Sequence, residues 1–142
     1  METRFNRSDS CTILVVDDDP AMRSLLADEL SENGCEVVEC IDGNDALFRV
    51  KTFIPNVIIT DLKMTGGGFA YLQGLATAVQ NCPIILLTAF GNSQTKMKAK
   101  ECGIAAYFDK PVRVSDLKEA LYQVCPMGKP QTCQNTETRN NQ

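Results

Sequence analysis

Three consecutive carboxylates stand directly after an aliphatic run near the start of the chain. Asp17, Asp18 and Asp19 follow the run at 13–16. Neighbouring like charges raise the free energy of a folded chain unless a cation or a hydrogen-bond donor offsets them. Asp19 has an ordinary explanation, because it precedes Pro20 and can cap a helix that begins there. Asp17 and Asp18 lack that explanation, and they are candidates for binding a cation.

Polar residues also follow three later hydrophobic runs. Asp61 comes after 57–60, Thr88 after 84–87, and Asp109-Lys110-Pro111 after 105–108. If the fold joins these residues to the first carboxylates, about three negative charges face one ammonium, and a divalent cation with oxygen ligands, Mg²⁺, would balance them. A carboxylate beside Mg²⁺ can be a ligand only, or it can attack phosphorus and carry the phosphoryl group. The nearby ammonium and hydroxyl favour the second use.

The runs that precede these polar residues read as strands, and helical patterns separate them. We predict five strands at 12–16, 36–39, 57–60, 84–87 and 105–108. Three are nearly uninterrupted aliphatic runs, as expected for parallel strands buried on both faces. We predict a helix from Pro20 that Gly34 closes, further helices at 45–53, 70–79 and 93–102, with Gly103 ending the last of these, and a final helix from Ser115.

Alternating strands and helices predict an α/β fold, a (βα)5 doubly wound five-stranded parallel sheet with helices on both faces. Right-handed crossovers leave few arrangements, and the flavodoxin-like strand order 2-1-3-4-5 is common at this size. Ligands of such sheets bind beyond the carboxyl ends of the strands. The candidate residues follow those ends, so we expect the fold to bring them together.

At this point the sequence resembles the receiver domain of bacterial two-component response regulators, the CheY-like family. The matching segments, in order along the chain, are ILVVDDDPAMR (13–23), VIITDLKM (57–64), IILLTAFG (84–91) and AAYFDKP (105–111). The resemblance covers residues 11–125. It implies a phosphoacceptor signalling domain of a phosphorelay, which takes its phosphoryl group from a histidine kinase or a histidine phosphotransfer protein and turns over no separate substrate.

The resemblance also implies a role for each matching residue. Asp61 would be the phosphoacceptor, while Thr88 and Lys110 would bind the phosphoryl oxygens. Asp18 and Asp61 would be direct Mg²⁺ ligands, Asp17 would act mainly through water, and Lys63 would contribute its backbone carbonyl. Tyr107 would be the aromatic side chain whose rotamer follows Thr88, which changes the face made by the fourth helix, the fifth strand and the last helix. A cis peptide bond between Lys110 and Pro111 is expected as well.

Two features of the sequence bear on the loop after Asp61 and on the lifetime of the phosphoryl group. Thr65 stands where the family usually has proline, and three glycines follow it, so we expect a more flexible loop than usual. Phe90 lies two residues after Thr88. We expect its apolar side chain to hinder the hydrolytic water and to prolong the phosphorylated state.

Composition excludes several other functions. The chain has no histidine, which removes His-based zinc sites and Ser-His-Asp or Cys-His catalysis. Its net charge of −4 argues against binding a nucleic-acid backbone, and no apolar run is long enough to span a membrane or serve as a signal peptide. The seven cysteines form no C-x-x-C motif, and we interpret them as reduced, buried thiols in a cytoplasmic protein.

Three rival functions fit the sequence less well than a phosphoacceptor does. A phosphatase of the haloacid-dehalogenase type needs a second Asp two residues after the nucleophile, where this chain has Lys63. A docking-only pseudo-receiver would lack at least one of the site residues, all of which are present here. A thiol-redox sensor would use the cysteines.

The expected partners are the phosphodonor, a downstream protein effector, and a second copy of the chain through the switching face. We expect a polar leader at 1–10, a receiver domain at 11–125 and a disordered tail at 126–142. The alternative is the N-terminal receiver of a longer regulator with an effector domain.

Overall fold

The computed structural model describes residues 11–32, 34–89 and 91–124. Strands and helices alternate strictly along this part of the chain. The strands are β1 Thr12–Val16, β2 Glu36–Cys40, β3 Val57–Asp61, β4 Ile84–Thr88 and β5 Ala106–Asp109. The helices are α1 Pro20–Ser31, α2 Gly43–Arg49, α3 Phe69–Ala78, α4 Ser93–Glu101 and α5 Val114–Val124.

All five strands form one parallel sheet in the order β2-β1-β3-β4-β5, which confirms the predicted topology. Side chains alternate across it. Leu14 and Val16 of β1 pack in the core on the side of α2, α3 and α4, whereas Ile13 and Val15 pack with Leu26 of α1 and residues of α5. Because both faces of the sheet centre are covered, the central strands β1, β3 and β4 consist mostly of buried apolar residues, whereas the edge strand β2 carries exposed Glu36 and Glu39.

Several strands and helices begin or end at residues other than those predicted from the apolar pattern, because backbone hydrogen bonding sets where they stop. β3 and β4 each extend one residue past the aliphatic run and include Asp61 and Thr88. The second helix begins earlier and ends earlier than the 45–53 prediction. Its last turn tightens, since the N–H of Lys51 bonds to the carbonyl of Phe48 at 3.2 Å. Pro55, four residues after Lys51, cannot continue a helix. β5 is displaced by one residue from the predicted 105–108.

The cap predictions agree with the structure. Asp19 caps α1 by accepting the N–H of Ala21, and Pro20 is the first residue of that helix. Gly34 and Gly103 have positive φ just beyond the ends of α1 and α4. The Lys110–Pro111 peptide bond is cis, as expected.

Among the described residues, no helix is long and apolar enough to cross a membrane. In the same part of the chain, the side chains of Cys11, Cys35 and Cys40 are buried thiols outside any disulfide, while Cys82 and Cys102 are partly buried. The predicted leader and tail, together with Cys125, Cys133 and Phe90, lie outside the described residues.

Candidate functional site

The parallel register of the sheet gathers the predicted site residues at one edge. Val16 pairs with Thr60 and Asp61 with Leu87, so Asp17, just after β1, lies beside Asp61, the last residue of β3. Thr88 pairs with Asp109 at the end of β4 and β5. Sequence separations of tens of residues thus become neighbouring positions, because every strand points the same way.

Lys110 bridges the two buried carboxylates. Its Nζ lies 2.8 Å from Asp17 Oδ2 and 3.1 Å from Asp61 Oδ2. The side chains of Asp17 and Asp61 are only 2% and 8% exposed, and that of Lys110 is 17% exposed. Two nearly desolvated anions therefore share one cation.

The other oxygen of each carboxylate accepts hydrogen bonds from the backbone. Asp61 Oδ1 accepts the N–H of Leu62 at 2.7 Å and that of Lys63 at 3.4 Å. Asp17 Oδ1 accepts the N–H of Asp19 at 2.9 Å. Each carboxylate is thereby fixed with one oxygen on amides and the other toward Lys110.

The electrostatics of the pocket shift two pKa values. Burial raises the pKa of the Asp61 carboxyl, which Lys110 opposes and the charge of Asp17 reinforces. Burial acts to lower the pKa of the Lys110 ammonium, but its bonds to Asp17 and Asp61 outweigh burial, so that the net shift is upward. The ammonium is therefore held charged, while the Asp61 carboxylate carries an electrostatic cost.

The acidic cluster fits a divalent cation. One carboxylate oxygen from each of Asp17, Asp18 and Asp61 lies within 4.8 Å of the others. Asp18 is exposed, whereas Asp17 and Asp61 are buried, so the cluster reaches solvent at the Asp18 carboxylate. Three carboxylates against the single ammonium of Lys110 leave an excess of negative charge. Carboxylate oxygens that are open to water on one side suit a hard cation such as Mg²⁺.

Thr88 and Lys63 border a cavity beside this cluster. The cavity has a volume of about 550 Å³ and lies between the loop after β3 and the start of α4. Thr88 is buried and the side chain of Lys63 is exposed. Apolar walls come from residues such as Leu62 and Phe69. The cavity would let a second molecule reach a small anionic group bonded to Asp61.

Tyr107 lies apart from the acidic cluster, half-buried on β5. Its hydroxyl donates to Asp109 Oδ1 at 3.2 Å, and Lys96 Nζ lies 5.7 Å from the centre of its ring. Burial, followed by the charge of Asp109, raises the pKa of the Tyr107 hydroxyl. The tyrosine hydroxyl occupies the space next to Gly91 that a side chain there would fill.

Lys96, Lys98 and Lys100 are all exposed on α4. Lys98 Nζ also lies 5.4 Å from the centre of the Phe69 ring.

Two supporting contacts escaped the sequence analysis. Arg23 Nη1 donates to the backbone carbonyl of Asp17 at 2.8 Å, while its Nε lies 3.2 Å from Glu39 Oε1. Thr60 Oγ1 donates to the carbonyl of Asp61 at 2.8 Å and lies 2.8 Å from the hydroxyl of Tyr71, with both side chains buried. A polar pair inside an aliphatic strand and an otherwise apolar helix is the signal that could have indicated the second contact.

A comparison with protein-family models matches residues 13–122 to the response regulator receiver domain. This chain belongs to that family. The receiver domain is a phosphoacceptor signalling module, and receiver domains interact with histidine kinases or histidine phosphotransfer proteins.

Curated relatives of this receiver domain differ in length. It is 28% identical over 116 residues to Sporulation initiation phosphotransferase F of Bacillus subtilis, covering 81% of this chain and 94% of that protein. It is 32% identical over 110 residues to Transcriptional regulatory protein PdtaR of Mycobacterium tuberculosis, covering 77% of this chain but only 54% of that protein.

Solved structures share the fold of this receiver domain. A CheY-like response regulator receiver domain protein from Methanospirillum hungatei superposes with a TM-score of 0.79 at 23% identity, covering 83% of this chain and 95% of that one. Chemotaxis protein CheY4 of Vibrio cholerae gives 0.75 at 27% identity, covering 81% and 98%.

Proposed function

We propose that Asp61 is the phosphoacceptor of this receiver domain. The observation that carries the proposal is the placement of its carboxylate, buried at the end of β3 with Oδ1 on the backbone amides of Leu62 and Lys63 and Oδ2 beside Lys110. A nucleophile held in this way needs little reorganisation before it reacts.

The phosphoryl donor is a phosphohistidine on a kinase or phosphotransfer protein, because this chain has no histidine of its own. Asp61 Oδ2 forms a bond to phosphorus as the phosphorus–nitrogen bond of the donor breaks. The electron pair of that bond returns to the imidazole, which takes a proton from water. The product is an acyl phosphate on Asp61.

The side chains around Asp61 then neutralise the phosphoryl oxygens. Lys110 already contacts Oδ2 and has only a short distance to move, and the hydroxyl of Thr88 donates from the end of β4. Asp18 and Asp61, the backbone carbonyl of Lys63 and, through water, Asp17 would hold Mg²⁺, which supplies positive charge to the transferring group.

The phosphorylated state is transmitted through Tyr107. Movement of Thr88 toward the phosphoryl group vacates space behind it, and Tyr107 rotates inward, away from Asp109 and Lys96. This rotation repacks the face made by α4, β5 and α5, which binds a downstream protein effector or a second copy of the chain. The domain acts by contact and turns over no separate substrate.

We propose further that residues 11–125 form this receiver unit. Its relatives include a protein that the receiver nearly fills and one of which it fills about half. The chain therefore acts alone, or it serves as the receiver of a longer regulator whose effector domain carries the output.

Labelling with radioactive acetyl phosphate tests the proposal. The wild-type chain should incorporate acid-stable, hydroxylamine-sensitive label in Mg²⁺ and not in EDTA, and Asp61→Asn should abolish it. Asp28→Asn is the matched control, because Asp28 is an exposed carboxylate of α1 remote from the site. Label retained by the Asp61 variant would overturn the assignment.

A further inference from the structure

Two cysteines lie opposite each other at the end of the sheet far from Asp61. The N–H of Glu36 bonds to the carbonyl of Cys11 at 2.8 Å, and Thr12 pairs with Glu36 in register. Cys11 and Cys35 are therefore the next positions on two neighbouring parallel strands. Their side chains lie in the same core cluster on the α1 and α5 side of the sheet.

Neighbouring strands run about 4.8 Å apart, which is within the range of Cα separations that a disulfide spans, about 4.4–6.8 Å. Since the side chains of paired residues in a parallel ladder leave the same face, the two sulfur atoms need only rotate toward each other. We propose that Cys11 and Cys35 are a dithiol site that a peroxide oxidises to an intramolecular disulfide.

The two thiols differ in reactivity. The hydrogen bond from Cys11 lowers the pKa of the Cys35 thiol to about 7, although burial opposes the shift. Cys35 is 9% exposed and follows the exposed Gly34, whereas Cys11 is 2% exposed. Cys40 provides the contrast, because burial and the charge of Asp45 raise its pKa to about 12. Cys35 is the attacking sulfur.

The chemistry balances with hydrogen peroxide as the oxidant. The Cys35 thiolate attacks one peroxide oxygen, the O–O bond breaks, and Cys35 becomes a sulfenic acid as hydroxide leaves. Cys11 loses its proton and attacks the Cys35 sulfur. The S–O bond breaks, and the departing oxygen leaves as water. Two thiols and one peroxide thus give one disulfide and two waters, and the peroxide takes up the two electrons that the thiols lose.

The test uses the full chain with Cys125→Ser and Cys133→Ser, so that only the five described cysteines remain. After treatment with one equivalent of hydrogen peroxide and alkylation, digestion without reduction should yield a Cys11–Cys35 linked peptide as the main oxidised product. Cys35→Ala should abolish it, and Cys40→Ala should leave it unchanged. Cys11→Ala should instead accumulate a sulfenic acid at Cys35 that dimedone traps.

Two further readouts decide between this site and inert buried thiols. Closing the loop between Cys11 and Cys35 should raise the melting temperature by about 10 °C relative to the reduced protein. Asp61→Asn should oxidise at the wild-type rate, which separates this site from the phosphoacceptor. Predominant linkage between other cysteines, equal oxidation of Cys35 and Cys40, or a linked product that melts no higher than the reduced form would overturn the proposal.

Discussion

Lys110→Met removes the only ammonium that contacts the two buried carboxylates Asp17 and Asp61 in the described part of the chain. Methionine keeps the length of the side chain and removes its charge. At an effective dielectric constant of about 20, the contacts of 2.8 and 3.1 Å each correspond to about 5–6 kcal/mol of gross attraction. Desolvation offsets most of this, but the carboxylates stay buried when their partner is lost. Removing one member of a buried ion pair costs about 3–5 kcal/mol.

Partial access of water to Lys110 places the expected loss near the lower end, about 3 kcal/mol. The measurement is urea unfolding followed by circular dichroism at pH 7 in EDTA. The midpoint should fall while the denaturant slope stays constant. Mg²⁺ should return part of the loss, because the variant pocket holds one more uncompensated negative charge. Adding Asp61→Asn to Lys110→Met should also return part of it.

Lys118→Met is the matched control. Its Nζ lies 3.4 Å from Glu29 Oε1, and the Glu29 side chain is 37% exposed, so the pair faces solvent. The expected loss is below about 1 kcal/mol. If Lys110→Met costs no more than Lys118→Met, or if Asp61→Asn gives nothing back, then Lys110 does not neutralise the buried carboxylates and the charge argument for the pocket is refuted.

Three further predictions concern single groups. The difference in unfolding free energy between wild type and Lys110→Met should be constant from neutral pH up to about 10 and should shrink at higher pH. The pKa of Lys110 is raised in the folded state, so its stabilising contribution is complete below the ordinary value of 10.5 and is lost as the ammonium deprotonates. A free-energy difference that does not change in alkali would contradict this. Tyr71→Phe should lower the free energy of unfolding by about 1 kcal/mol, since it removes one buried hydrogen bond to Thr60 and leaves that hydroxyl its bond to a carbonyl; an unchanged urea midpoint would count against the bond. Gly91→Ala should displace the Tyr107 ring, because the added methyl group overlaps the tyrosine hydroxyl at the free end of a side chain that can rotate; NMR signals of the Tyr107 ring that match wild type would argue otherwise.

The sequence predicts the sheet well because its three central strands, β1, β3 and β4, are buried on both faces. Short aliphatic runs such as 13–16 and 84–87 are best accommodated in a small α/β domain as buried parallel strands, and the interval between successive runs is long enough for one helix. The helix caps at Asp19 and Gly103 are equally predictable, since a capping side-chain oxygen and a positive φ depend on the local residue type. The end of α2 is not predictable from the hydrophobic pattern, because a tightened turn and a proline beyond it stop the helix short of Phe53.

The sequence predicts which residues form the pocket, but it does not predict the contacts that they make with one another. Strand polarity alone brings Asp17 and Asp61 to one edge. Lys110 contacts both carboxylates at once because of where the chain turns after β5. The distances from its ammonium to the two carboxylates cannot be derived from the spacing of residues in the sequence. The Thr60–Tyr71 contact joins a strand to a helix through the core. Each residue by itself looks like an ordinary strand or helix residue.

The glycines after Thr65 were expected to loosen their loop, and that expectation stays a prediction, but they also let two backbones meet. The N–H of Gly43, at the start of α2, bonds to the carbonyl of Thr65 at 3.0 Å. A methyl group on Gly43 would overlap the carbonyl of Gly66, and one on Gly67 would overlap that of Leu62.

The start of α2 and the loop that carries the Lys63 carbonyl therefore cannot be redesigned independently. A designer who grafts a loop with proline and bulkier residues into this chain would have to refit the first turn of α2 at the same time. Any substitution at Gly43 would be transmitted to the edge that carries the acidic cluster through main-chain contact alone, without altering a single candidate ligand.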